Sequence, residues 1–172
     1  MTTITILSQT EAISALNELS HLLVDSVDNG ASVGFHRPLA EEEAAAYWRD
    51  VCADVGRGQV LLFAVYADNK LAGTAQLQPS PKANGRNRAE VAKVLVHSSF
   101  RRRGIGRALM DALEEEARRL GRTTLVLDTR LGDAGESLYA QCGYTKAGVI
   151  PAYVIDENGA PDATVFYYKL LF

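Results

Sequence analysis

The sequence predicts an α/β fold (α+β in some schemes), a mixed sheet flanked by helices, on three observations. Seven β-rich segments interleave with four helical ones in the order β-α-α-β-β-β-α-β-α-β-β. Glu90 to Asp128 reads strand, helix, strand, a crossover that makes its two strands parallel neighbours. The chain has 172 residues, 47% hydrophobic and 23% charged, which suits one globular domain over 1–172 and not a disordered chain.

Each element has a local reason. Thr3 to Leu7 alternates polar and apolar, a first strand. Ser8 and Glu11 form a capping box before Ile13, Leu16, Leu19, Leu22 and Leu23 at helical spacing, and this helix fades near Val27. The loop Gly30 to Phe35 is expected to expose Val33 and Phe35. Glu41 to Glu43 suit the positive end of a second helix, which runs to about Val55. Val60–Tyr66 and Leu71–Gln78 read as a hairpin across Asp68-Asn69-Lys70. Pro79 to Arg88 is rich in turn residues and reads as a loop, and Glu90 to His97 as a strand. Ile105, Leu109, Ala112, Leu113, Ala117 and Leu120 make one apolar stripe on a helix over about 103–120, ended by Gly121. Thr124 to Asp128 is a strand, Ala134 to Cys142 a short helix, and Ala147–Val154 pairs with Thr164–Leu171 across Asn158-Gly159.

Composition excludes several function classes. The charge of 18 − 21 = −3 argues against a nucleic-acid surface built from bulk positive charge. The longest apolar run, Val60 to Tyr66, is far below the roughly 20 residues of a membrane span. No export leader opens the sequence, and Cys52 and Cys142 lie in separate periodic segments, so a reducing cytoplasm is expected. His21, His36 and His97 show no metal-ligand spacing, so no metal is expected.

The chemistry concentrates in Arg101-Arg102-Arg103-Gly104-Ile105-Gly106-Arg107, between a strand and an amphipathic helix. A first helical turn offers unpaired N–H groups and partial positive charge. Gly104 and Gly106 remove side chains from the approach to it, and four arginines add a cationic rim suited to a diphosphate. A dinucleotide is one such ligand, with Asp128 as the ribose acid. Against it, Leu109 stands where the third glycine belongs, and too few residues follow Asp128 for the remaining parallel strands.

Arg101-x-x-Gly104-x-Gly106, the preceding Val94-Leu95-Val96-His97 and the later Leu138-Tyr139-Ala140-Gln141-Cys142-Gly143-Tyr144 resemble the signature of the GNAT superfamily of N-acetyltransferases. Gly30–Phe35, Asn87–Val91, Leu127-Asp128-Thr129 and Pro151-x-Tyr153 are similar to its tabtoxin-resistance branch, which acetylates a β-lactam-containing amino acid. The resemblance implies a mostly antiparallel twisted sheet with a central parallel βαβ unit and helices on both faces. It implies acetyl-CoA as cofactor, held by the amides of Arg103 to Ala108 and by the backbone of Val94, Leu95 and Val96. It assigns Glu90 and Asp128 as bases and Tyr139 as general acid, with direct transfer in a ternary complex to an amine of a small, amino-acid-like molecule. Val33, Phe35, Asn87, Arg88 and Tyr153 would surround the acceptor, Arg88 clamping a carboxylate. Many members carry an asparagine where this chain has Gly132; a backbone amide or Asp133 is the available substitute. A non-catalytic acyl-CoA-binding module is the alternative, and a monomer or homodimer is expected.

Overall fold

The structure is a computed structural model describing residues 2–172. The elements are β1 (Thr2–Leu7), α1 (Gln9–Ser14), α2 (Leu16–Asp28), α3 (Glu41–Gly56), β2 (Leu61–Ala67), β3 (Lys70–Pro79), β4 (Arg88–Val96), α4 (Ile105–Arg119), β5 (Thr124–Arg130), α5 (Gly135–Gln141), β6 (Thr145–Ile155) and β7 (Pro161–Leu170). One seven-stranded sheet takes the order β1-β2-β3-β4-β5-β7-β6. Only β4 and β5 pair in parallel among the described strands, joined by α4. That single parallel pair removes the dinucleotide reading, whose fold needs several parallel strands.

Two departures from the expected elements have physical causes. The first helix divides at Ala15, just after the Ser14 hydroxyl donates to the Thr10 carbonyl at 2.9 Å. Such back-bonding competes with the helical ladder and bends it. Ile13 accordingly lies outside the core, exposed on α1. The expected loop at 79–88 holds a short helical turn, Ala83–Gly85. Arg122 anchors it by donating to the Arg86 carbonyl at 2.5 Å.

Two cores flank the sheet. On one face Leu109, Met110, Leu113 and Ala117 of α4 pack on Phe63, Leu77, Val91, Leu125 and Leu127. On the other, α1–α3 bring Leu19, Leu23, Trp48 and Val51 onto Leu62, Ala64, Leu71 and Leu95. Val33 and Phe35 belong to this second core: they are half-buried, and Phe35 meets the Tyr47 ring edge-on at 5.4 Å. They are therefore not exposed, because burying two large apolar side chains outweighs leaving them on a surface loop.

Val91 and Leu95 sit four apart in β4 yet face opposite cores. Strand alternation would put them on one face. A bulge reverses the alternation: Thr74 pairs with Leu95 but Gln76 with Ala92, leaving one extra residue in β4. Lys93 takes the strained conformation there, φ 49°. No helix among the described residues is long and apolar enough to cross a membrane.

Leu113 is wholly buried at the centre of α4. Leu113→Ala is expected to cost about 2–5 kcal/mol of unfolding free energy, read from the urea midpoint at unchanged slope.

Candidate functional site

The helix–loop junction is built by two left-handed residues. Arg102 (φ 61°) and Gly104 (φ 77°) turn the chain so that α4 starts at Ile105, with Gly104 as its N-cap. A side chain at Gly104 would meet no atom within 4 Å, so the space before the helix is open and the backbone angle is what demands glycine. Gly106 has a different reason: a Cβ there would come within 3.2 Å of Leu138, so it permits α5 to approach. The first ladder bond runs from the Ala108 amide to the Gly104 carbonyl at 3.0 Å. Ala108 is thus not one of the free donors expected of it. The amides of Ile105, Gly106 and Arg107 precede that bond and point out of the helix end.

The arginine rim is thinner than the sequence suggests. Arg107 is drawn along the helix to Asp111 at 3.0 Å and to the Gln141 carbonyl at 3.0 Å. Arg103 lies over Phe100 at 5.1 Å and within 3.8 Å of Asp68. Arg101 donates to the Val96 carbonyl at 3.4 Å. All three guanidiniums remain at the surface beside the helix end.

Beside this end the sheet opens. β4 and β5 pair only through Arg88, Ala89 and Glu90 against Thr124, Leu125 and Val126, and then diverge. The His97 amide donates to Ala72 on β3, so the Val96 carbonyl, trans to it, faces the gap. Strand geometry turns the Val96 N–H the same way. It turns the Leu95 groups toward β3 instead, so Leu95 supplies no free edge. Val94 packs its side chain on the α4 core.

Acidic groups meet at the mouth of the gap. Glu90 pairs with Val126, and Asp128 stands two residues on along β5 opposite Phe166, so both project from the same face. Loss of water around Glu90, and then the neighbouring Asp128 charge, raise its pKa from the ordinary value. Asp128 is raised chiefly by the same loss of water, opposed by the Lys93 cation. Both tips still touch solvent, which leaves them reachable.

Tyr139 on α5 is 8% exposed, its ring near Tyr144 and Tyr167. Burial, then Asp133 and Asp128, raise its pKa well above that of a free phenol, so it carries its proton at any physiological pH. Gly135 makes room for the ring: a Cβ there would lie 3.1 Å from Tyr139. The Gly132 amide is already committed to Glu136 at 2.6 Å, and an Asp133 oxygen accepts from the Ala134 amide, so neither freely replaces the family asparagine.

The remaining expected residues divide. Tyr153 leans on Phe166 at 5.2 Å, next to Asp128 on the sheet. Asn87 is instead tied to Thr124 at 3.3 Å, at the closed end of the β4–β5 pair. Arg88 reaches toward Gly85. A cleft of about 380 Å³ lies between the 30–37 loop and the β6–β7 hairpin, with Arg130, two residues beyond Asp128 on β5, on its wall. His36 to the Ile155 carbonyl (2.9 Å) and Arg37 to Glu157 (2.5 Å) bridge its two sides. Sequence reasoning missed Tyr47, Gln76 and Lys93 on this side. Lys93 was detectable as the one cation inside the apolar run Val91–Val96, and Gln76 with Gln78 as polar alternation in an apolar strand. Tyr47 gave no signal beyond an ordinary helix residue.

Free amides at an open helix end, next to a strand edge with unpaired groups, suit a ligand with a diphosphate and an amide-bearing arm, as coenzyme A has. Comparison with known proteins agrees. The chain is 35% identical over 120 residues to an uncharacterized N-acetyltransferase in the hisH-hisA intergenic region of Azospirillum brasilense, covering 67% of this chain and 68% of that protein. It is 31% identical over 78 residues to the ribosomal protein bS18-alanine N-acetyltransferase of Escherichia coli K12, 45% of this chain and 53% of that one. The fold matches yncA of Salmonella typhimurium, solved with its cofactor acetyl-CoA, with TM-score 0.78 and 20% identity over 100% of this chain and 95% of that one. Residues 17–144 match the acetyltransferase (GNAT) family, and this chain belongs to it: the protein is an acyltransferase that uses acetyl-CoA.

Proposed function

We propose that this acetyltransferase moves the acetyl group directly to a primary amine of a small, amino-acid-like molecule. The observation that carries the reading is the pair Glu90 and Asp128, on one face at the mouth of the β4–β5 gap and both within reach of solvent. The similarity of Gly30–Phe35, Asn87–Val91 and Leu127–Thr129 to the tabtoxin-resistance branch points the same way.

Acetyl-CoA, when bound, supplies an acyl group activated as a thioester. The amides of Ile105, Gly106 and Arg107 would hold its diphosphate, and Val96 would hold the arm through its N–H, its C=O already accepting from Arg101 at 3.4 Å. Arg101, Arg102 and Arg103 supply positive charge beside the helix end. The acceptor arrives as an ammonium, since an alkyl amine has a pKa of about 10. Glu90 takes one proton at its carboxylate, with Asp128 sharing the charge and holding the ammonium until it leaves. A carboxylate whose pKa is raised above its ordinary value accepts that proton with a smaller mismatch than an ordinary one. Tyr139 keeps its proton on Oη and would give it to the departing sulfur while taking up the second proton of the attacking nitrogen, so no tyrosinate is left behind; its raised pKa requires the two transfers to be coupled. Cys52 and Cys142 are buried with raised pKa values, which disfavours a covalent acetyl-cysteine route.

A thiol-release assay over amino acids, polyamines, aminoglycosides and peptides tests the reading; turnover on small amino acids is expected, and turnover on protein N-termini alone would overturn it. Tyr139→Phe is expected to lower kcat by about 10²-fold with acetyl-CoA binding retained, the size typical of one proton donor. Glu90→Gln should lower kcat/KM by a similar factor, and the acidic limb of the wild-type profile should lie above pH 4.5, the ordinary glutamate value. Stability carries the opposite sign. Glu90 has a folded pKa above its unfolded one, so its contribution is full below the unfolded value and is lost as pH rises through the folded value. Melting curves should therefore show Glu90→Gln gaining on wild type as pH rises above the ordinary glutamate value of 4.5.

A further inference from the structure

We propose that Lys93 reads a carboxylate on the acceptor, so that the substrate class is an α-amino acid bound as its zwitterion. The inference rests on the small-amine reading above and goes beyond it.

Lys93 occupies the extra position of the β4 bulge with φ 49°. A side chain other than glycine costs about 1–2 kcal/mol in that conformation, and nothing about turning the strand requires lysine there. The strain delivers one side chain to one place. Its Nζ lies 5.4 Å from the centre of the Tyr47 ring on α3 and comes close to the Gly34 backbone. A Cβ on Gly34 would stand 3.9 Å from the ammonium, an ordinary contact, and it is the φ of 92° that asks for glycine there.

The groups facing Lys93 are Tyr47 from α3, Gly34 from the preceding loop, Glu90 from its own strand and Asp128 from β5. Loss of water lowers the Lys93 pKa from its ordinary value, Asp128 and Glu90 opposing this in part, and Lys93 joins none of the ion pairs within 4 Å among the described residues. Nor does its Nζ donate to any protein oxygen there. A partly covered ammonium that lies near an aromatic face and meets no protein oxygen has donors open to a ligand. A carboxylate from the acceptor would meet them.

Tyr47 is aligned to help. Gln78 donates to the Gln76 side-chain oxygen at 3.1 Å, and Gln76 donates to the Tyr47 hydroxyl at 2.8 Å. That hydroxyl receives a bond from behind, so its own proton is free to be donated forward, and burial pushes its pKa up to about 12. Lys93 and Tyr47 thus supply donors, and Glu90 and Asp128, near enough to act on the Lys93 charge, supply acceptors. An α-amino acid carries its carboxylate and ammonium on one carbon and bridges the two. Arg88, the cation first expected to clamp the carboxylate, turns toward Gly85.

The test uses the full-length enzyme with acetyl-CoA and the twenty common L-α-amino acids, each paired with its α-carboxamide. For the best acceptor, wild type is expected to favour the acid in kcat/KM by about 10- to 100-fold, the range of a charge-assisted hydrogen bond. Lys93→Gln should collapse that ratio toward one, chiefly through KM of the acid, and Lys93→Arg should restore part of it. Equal use of acid and amide by wild type would overturn the inference and leave the small-amine reading standing. Equal losses on both substrates in Lys93→Gln, with a displaced acidic limb, would also overturn it by making Lys93 a counter-ion of the bases. Acetylation of peptide N-termini with no free amino acid accepted would overturn both readings. The wild-type comparison requires no variant to fold.

Discussion

Beyond Glu90, β4 and β5 share no hydrogen bonds, and each is held away from the other by a partner on its far side. β3 grips β4 through Thr74–Leu95 and Gly73–Val96, while β7 grips β5 through Asp128–Phe166 and Arg130–Thr164. Closing the gap would break those ladders, so an unpaired backbone edge persists in the middle of the sheet. Unpaired strand groups are a costly thing to retain. Here they adjoin the free amides of α4, whose own position depends on the buried stripe Ile105, Leu109, Leu113 and Ala117. The cofactor site is therefore a consequence of how two strands fail to pair.

The same region separates charge. The start of α4 is positive through its dipole and neighbouring arginines, whereas the gap mouth carries two carboxylates facing one lysine. A diphosphate and an ammonium are thus drawn to opposite ends of one opening. The bulge at Lys93 belongs to this arrangement. It reverses the strand's alternation so that Leu95 anchors the α1–α3 core while Val94 and Val96 stay on the α4 side. One inserted residue thereby attaches the cofactor strand to both layers.

Tyr139 and Glu136 show how α5 is tied in. Glu136 accepts from the Gly132 amide and from the Tyr167 hydroxyl at 2.6 Å, locking the turn before α5 to β7. Leu138 fills the hollow over Gly106, so α4 and α5 settle against each other only because that residue is glycine. The phenol at 139 is positioned by packing, not by a hydrogen bond of its own turn.

Element order, the α4 stripe, the capping box at Ser8 and the parallel βαβ unit were all legible in the chain, because they depend on local spacing and near neighbours. So was the acid pair as a candidate, since Glu90 and Asp128 sit at readable places on their strands. What the chain alone could not tell was which amides stay free, that Leu95 turns its groups to β3, or that Arg107 is occupied by Asp111 and Gln141. Nor could it show Lys93 and Tyr47 meeting across 46 positions of sequence (93 − 47 = 46). Those depend on a single-residue bulge and on helices packed against a sheet. Local periodicity carries no information about either, because only long-range contacts decide which face a side chain finally meets.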